Sequence, residues 1–287
     1  MTQESRLFVI GDSFSVPPKA NDATLTWPQL VANQLTELSG RPVRLINNSI
    51  MGASQDWCWF VMLDWLSDVT ANDYVIVALT HPGRYWFVDN IPELSNANII
   101  DLDRFVQGEQ LKAIELFIKH IQRPSIDTLN LVNRMAALAY HVVKLGLRRP
   151  LMLKAFEQEL SISEAWTDEL NFSKGVLMDN IQFWEFDDPH CKDHLNTYFR
   201  GLDCRYNHMI LSNHKILADR IALALHHDKT LDLAEGFIRG LITKDSVFDD
   251  EFCQREFDMQ VVAKRRAMPP DTKPILPWKR RRGLDMA

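Results

Sequence analysis

Asp73-Tyr-Val-Ile-Val-Ala-Leu79 is the stretch whose reading decides the fold. It is nearly all apolar after its first residue, so it reads as a strand buried on both faces. Strands of that kind belong to parallel sheets covered by helices. Two more strands precede it. Arg6-Leu-Phe-Val-Ile10 is ended by Gly11-Asp12-Ser13, and Pro42-Val-Arg-Leu-Ile46 is closed by Asn47-Asn48-Ser49. Between them, Trp27 to Leu38 carries apolar residues at helical spacing and stops at Ser39-Gly40, a helix C-terminal signal. From Ser54, a good N-cap, a second helix runs through Trp57, Phe60, Val61 and Trp65 to about Val69. The order β-α-β-α-β predicts an α/β fold with a doubly wound parallel sheet.

Downstream, residues 104–122 and 126–146 read as two amphipathic helices joined near Pro124. Pro150 to Phe156 is a fourth strand, Phe183 to Phe186 a short fifth, and Asn213 to Leu225 a final helix. After residue 229 the character changes. Asp245 to Asp258 is acidic. Lys264-Arg265-Arg266 and Lys279 to Arg282 are basic, with Pro269, Pro270, Pro274 and Pro277 between them, which opposes regular structure. The expected organisation is a core domain over 1–228 with a helical insertion near 101–148. A helical appendage and a basic, Pro-rich tail then fill 229–287.

The chain has 287 residues, 46% hydrophobic and 24% charged, an ordinary globular balance. A formal charge of −6 gives no electrostatic case for nucleic acid or anionic lipid. No uncharged run approaches the roughly 18 residues that span a bilayer, and no basic-then-apolar leader opens the sequence. A cytoplasmic setting without a membrane partner is expected. Cys58, Cys191, Cys204 and Cys253 are scattered, which suits reduced thiols better than a disulfide framework. His190, Cys191, His194, Cys204 and His208 form a loose cluster, but without paired metal-ligand spacing, so no metal is expected.

In an open parallel sheet, ligands gather beyond the carboxyl ends of the strands. Ser13 lies just past the first strand, Gly52 past the second and Thr80 past the third, so all three should line one edge. A serine there can attack a carbonyl if a base takes its proton and nearby donors hold the developing oxyanion. The basic tail reads as a solvated segment, or as an arm that contacts a partner protein or nucleic acid.

Gly11-Asp12-Ser13-Phe14-Ser15 after the opening strand, Asn48 to Ser54 with Gly52 after the second, and Asn207-His208 just before the final helix together resemble the SGNH (GDSL-type) hydrolases. The resemblance spans roughly residues 5–226. It implies a three-layer α/β/α, flavodoxin-like sheet. Ser13 is then the nucleophile and His208 the general base, with the backbone N–H groups of Ser13 and Gly52 as the oxyanion hole. No cofactor is needed. Two positions depart from the family pattern. Thr80 stands where the third block carries an asparagine, whose side chain is an oxyanion donor, so the Thr80 hydroxyl is the expected substitute. Arg205 stands where the acid that orients the histidine belongs. Asp203 is the preferred replacement, with a Ser–His dyad or another acid such as Asp12 or Asp187 as alternatives. His81 and Arg84 are candidate substrate contacts.

The implied activity is a serine esterase hydrolysing O-acyl groups of a small molecule or glycan, carbohydrate O-acetyl groups among them. The alternative is an SGNH-fold binding or structural module with weak or no catalysis. The wording of Leu79 to Arg84 and Asn207 to Ala218 is also similar to phage-encoded relatives, which would imply a virion or tail component or a host-glycan deacetylase.

Overall fold

The apolar runs do form the sheet. The computed structural model describes residues 4–16, 26–81, 84–86, 96–98, 108–109, 112–113, 116, 124–156, 166, 168–178, 183–184, 198–199, 202–203, 209, 211–238 and 241–242. In chain order the elements are β1 (Ser5–Ile10), α1 (Trp27–Ser39), β2 (Val43–Asn47), α2 (Gln55–Leu66), β3 (Tyr74–Leu79), β4 (Arg84–Trp86) and β5 (Asn96–Asn98). There follow α3 (Pro124–Leu145), β6 (Leu151–Lys154), β7 (Asn171–Phe172), β8 (Phe183–Trp184), β9 (Tyr198–Phe199), β10 (Leu202–Asp203), α4 (Leu211–His226) and β11 (Leu241–Ile242).

Five strands make one sheet in the order β2-β1-β3-β6-β7, every pair parallel. This is the strand order of flavodoxin-like sheets, with the direction of winding reversing between β1 and β3. Strand periodicity splits the core. Leu7, Val9, Ile76, Ala78, Leu151 and Leu153 pack in the cluster that holds α1 and α4. Phe8, Ile10, Val75, Val77, Leu79 and Met152 pack with α2 and α3. A strand apolar on every residue therefore has a helical layer on each side, as its sequence requires.

Local signals set most helix ends. Gly40 closes α1 at φ 64°, a left-handed position that glycine adopts without strain, and its N–H donates to the Thr36 carbonyl. The Ser54 side chain caps α2 by accepting from the Trp57 N–H at 3.2 Å. This helix ends at Leu66 rather than near Val69, because the Asp68 and Val69 N–H groups both fold back to the Trp65 carbonyl. Pro124 is the first residue of α3, where its missing N–H costs nothing. The start of α1 is different. Thr26 makes no side-chain cap, and the Trp27 N–H donates instead to His214 Nδ1 on α4, at 3.2 Å.

One sequence expectation changes. The fifth strand of the sheet is Asn171–Phe172, not 183–186; Phe183–Trp184 pairs with Leu241–Ile242 in a separate two-stranded sheet. β7 is too short and too polar to show a strand period. It is held because the Asn171 N–H donates to the Pro150 carbonyl and its side-chain amide donates to the Lys229 carbonyl. The chain also stays on the core past residue 228. Leu231, Leu233 and Phe237 are buried in the α1–α4 cluster, and Lys174 exchanges backbone bonds with Leu231 and Leu233. The helix expected over 104–122 lies almost wholly outside the described residues, as does all of the tail from 243 onward.

At the amino edge of the sheet, Asp73 is 2% exposed and carries a dense set of bonds. Its carboxylate accepts from the Arg6 N–H, Nε and Nη2 and from the Thr70 N–H and hydroxyl, at 2.7–3.2 Å. Burial alone pushes this carboxyl up, but the Arg6 and Thr70 donors outweigh it and hold it below its ordinary value. A carboxyl with a depressed native pKa adds stability that is complete above its unfolded value, about 3.9. That contribution is lost as pH falls through the native value. Asp73→Asn is therefore expected to lower urea resistance clearly at pH 7 and much less at pH 3. A deficit of the same size at both pH values would show that the charge on Asp73 is not what Arg6 and Thr70 stabilise.

Candidate active site

The carboxyl edge of the sheet is built from the turn after β1. At Gly11 a Cβ would lie 2.7 Å from Ala78 Cβ and 2.9 Å from Ser15 Oγ, so the backbone can turn here only without a side chain. Asp12 is 1% exposed. One of its oxygens accepts from the Phe14 N–H at 3.1 Å, and its carbonyl accepts from the Ser15 N–H at 2.9 Å. These bonds wind Ser13–Ser15 into a short 3-10 turn in which all three residues are buried, Ser13 to 8% exposure. The loop after β2 runs alongside. The Asn48 N–H donates to the Val9 carbonyl and the Ile50 N–H to the Gly11 carbonyl, at 3.0 and 3.3 Å. Gly52 then takes φ 72°. Asn47 ties the two segments by donating through its amide to the Ser15 carbonyl at 2.7 Å.

The second oxygen of Asp12 pairs with Arg84 Nη1 at 2.5 Å. Arg84 opens β4, and its guanidinium carbon lies 5.8 Å from the centre of the Phe156 ring. Phe156 also meets Phe14 and His81 edge-on, with centroids 5.4 and 5.3 Å away. An aromatic ring thus backs the ion pair on one side. Burial, and then the Arg84 charge, push the His81 imidazole below its ordinary value, with Asp12 pulling the other way. Burial pushes the Cys58 thiol well up and the Asp12 charge adds to this, which keeps the thiol protonated.

Past β3, the Thr80 backbone N–H donates to Gln55 Oε1 at 2.9 Å. Gln55 is the first residue of α2, and its Nε2 is buried without a hydrogen-bond partner, as is Ser15 Oγ. A buried polar group left without a partner costs about 1–3 kcal/mol, so each is a feature to explain.

Ser13, Gly52, Thr80, His81 and Arg84 therefore all stand at the same edge, past β1, β2 and β3. Arg84 and Asp12 are paired with each other. Since both Asp12 oxygens are already engaged, Asp12 is poorly placed to serve as the acid behind a histidine. His214 is in the first turn of α4 with Nδ1 accepting from Trp27, a packing role. His208, Arg205 and Asp187 lie outside the described residues, and so does the cluster His190, Cys191, His194 and Cys204. Of Asp203 the backbone is described, paired with Tyr198 across β9 and β10. Among the described residues no three His, Cys, Asp or Glu side chains group to hold a metal, and no helix is long and apolar enough to cross a membrane. Sequence reasoning missed the pairing of Asp12 with Arg84, the Phe156 ring behind it, and Gln55. Only Phe156 had a signal, as the last residue read into the fourth strand.

No protein-family model matches the chain, and no curated protein matches it. Among solved structures it is similar to the crystal structure of TesA, with a TM-score of 0.31 and 16% identity, covering 58% of this chain and 69% of that one.

The ion pair yields a direct test. Truncating one partner of a buried pair leaves the other charge uncompensated, at about 3–5 kcal/mol. Arg84→Met should lower the unfolding free energy on that scale. Adding Asp12→Asn, which keeps an acceptor for the Phe14 N–H, should restore most of it. Equal stability of the single and double variants in urea would mean that Arg84 does not neutralise Asp12.

Proposed function

We propose that the protein is a serine esterase with an SGNH-type fold, hydrolysing O-acyl esters, carbohydrate O-acetyl groups among them, through an acyl-enzyme. The observation that carries this is the bond from the Ile50 N–H to the Gly11 carbonyl, which lays the Gly52 loop along the turn that holds Ser13. A nucleophile and a backbone donor loop then share the edge where open α/β sheets bind ligands. In this reading Ser13 Oγ attacks the ester carbonyl while His208 takes its proton. The Ser13 and Gly52 N–H groups hold the oxyanion, and His208 protonates the leaving alcohol. Water, activated by the same imidazole, releases the acid. Asp203 orients His208, and Arg84 and His81 border the acyl or alcohol side.

One observation favours the second reading, a binding or structural module. Ser13 is almost fully buried, and the Arg84 charge beside it is neutralised by Asp12. A fluorophosphonate probe separates the two, because only an activated serine reacts.

The esterase reading predicts labelling of the wild type at Ser13. Ser13→Ala and His208→Ala should each cost at least about 10³-fold in kcat on p-nitrophenyl acetate with little change in Tm. Asp203→Asn should cost up to about 10⁴-fold by favouring the wrong tautomer. His81→Phe should cost far less in kcat than His208→Ala. An unlabelled, inactive wild type that is fully folded would decide for the binding module; a strong loss in His81→Phe alone would move the base to His81.

A further inference from the structure

The family pattern places an asparagine amide at the third block, and this chain has Thr80 there. The structure offers a different amide at the same edge. Gln55 follows directly on the Gly52 to Ser54 loop, and its Oε1 receives the Thr80 backbone N–H at 2.9 Å. A backbone N–H can only donate, so the amide must present its oxygen to Thr80 and turn its NH2 away. That NH2 is buried and has no partner. Its position follows from the topology. β1 lies between β2 and β3, and the loop leading to Gln55 is bonded to Gly11 at the end of β1. A side chain that starts beside the loop bonded to Gly11 and ends at Thr80, past the strand paired with β1, therefore lies at the same edge as the Ser13 turn. α2 also packs against β1 and against β4, which Arg84 opens.

We propose that Gln55 Nε2 is the side-chain oxyanion donor of this site, with the Thr80 backbone N–H fixing its orientation; the proposal rests on the esterase reading above. As Ser13 Oγ bonds to the ester carbon, the carbonyl π pair moves onto oxygen and the Ser13 proton passes to His208. The Gln55 NH2 then gains the acceptor it lacks in the free protein. Thr80 acts through its backbone, and its hydroxyl is not required as the donor.

Two variants test this, with turnover of p-nitrophenyl acetate and fluorophosphonate labelling as readouts. Gln55→Glu keeps an oxygen for the Thr80 N–H but replaces the donor by an acceptor. Gln55→Met keeps the volume and removes both. Each is expected to lower kcat by about 10²–10³-fold with KM within a few-fold of wild type. In Gln55→Glu the ratio of variant to wild-type kcat should rise as pH falls from 8 to 5, because a protonated carboxyl can donate again. A merely structural glutamine would give no such rise. If Gln55→Glu does not fold, Gln55→Met decides by its kcat and KM. Wild-type kcat in both variants, beside a wild type that labels and turns over, overturns the proposal alone. A folded wild type that neither labels at Ser13 nor turns over overturns the esterase reading and this proposal together.

Discussion

A carboxylate shut away from water organises the edge that matters. Asp12 spends one oxygen on the Phe14 N–H and the other on Arg84. The first bond winds the turn that carries Ser13; the second draws the chain after β3 back across the end of β1. Neither works unless the backbone can turn sharply at Gly11 against Ala78, which only glycine permits. A buried ion pair is weak evidence of net stability, since desolvation offsets much of the attraction. What it does supply is geometry. A carboxylate this buried is tolerable only with its guanidinium in place, so the turn and β4 come as a unit.

The same pairing recurs at the other end of the sheet. Arg6 lies at the start of β1 and Asp73 just before β3, as Asp12 and Arg84 follow the same two strands. The paired strands β1 and β3 are thus tied at both ends by a guanidinium and a carboxylate of opposite order. The environments differ. Asp73 is saturated by Arg6 and Thr70 and has nothing left to offer a ligand. At the carboxyl edge the polar inventory is incomplete, with Gln55 Nε2 and Ser15 Oγ buried and unmatched. One edge is finished as structure, and the other holds donors in reserve.

How far the sequence could be read follows from where each signal lives. β3 was legible because a strand buried on both faces must be apolar throughout, β1 and β2 because short apolar runs end in turn residues, and Ser54 and Gly40 mark helix ends by local chemistry. β7 was not, because it is a two-residue edge strand whose buried Asn171 is satisfied by Lys229, 58 residues away. The placement of Ser13, Gly52 and Thr80 on one edge followed from strand ends alone. The assignment of His208 and Asp203 rests on the resemblance. Gln55 left no trace in the sequence, since its part depends on which end of its amide meets a backbone N–H, and no spacing rule encodes that.

The cap on α1 has a consequence for how the chain is made. The imidazole that receives the Trp27 N–H belongs to α4, 187 residues later, and the Trp27 indole in turn donates to the Phe14 carbonyl at 2.9 Å. Translation delivers β1, its turn and α1 long before α4 emerges. Until then the first turn of α1 lacks this acceptor, and the apolar face that α4 will cover stands open. Domains of this size expose such surfaces while incomplete and are held together by contacts of long sequence separation, which form slowly. Completion of the Ser13 edge is thereby coupled to the arrival of α4, so a nascent chain stopped short of residue 211 would hold Phe14 and Trp27 without the acceptor that α4 brings.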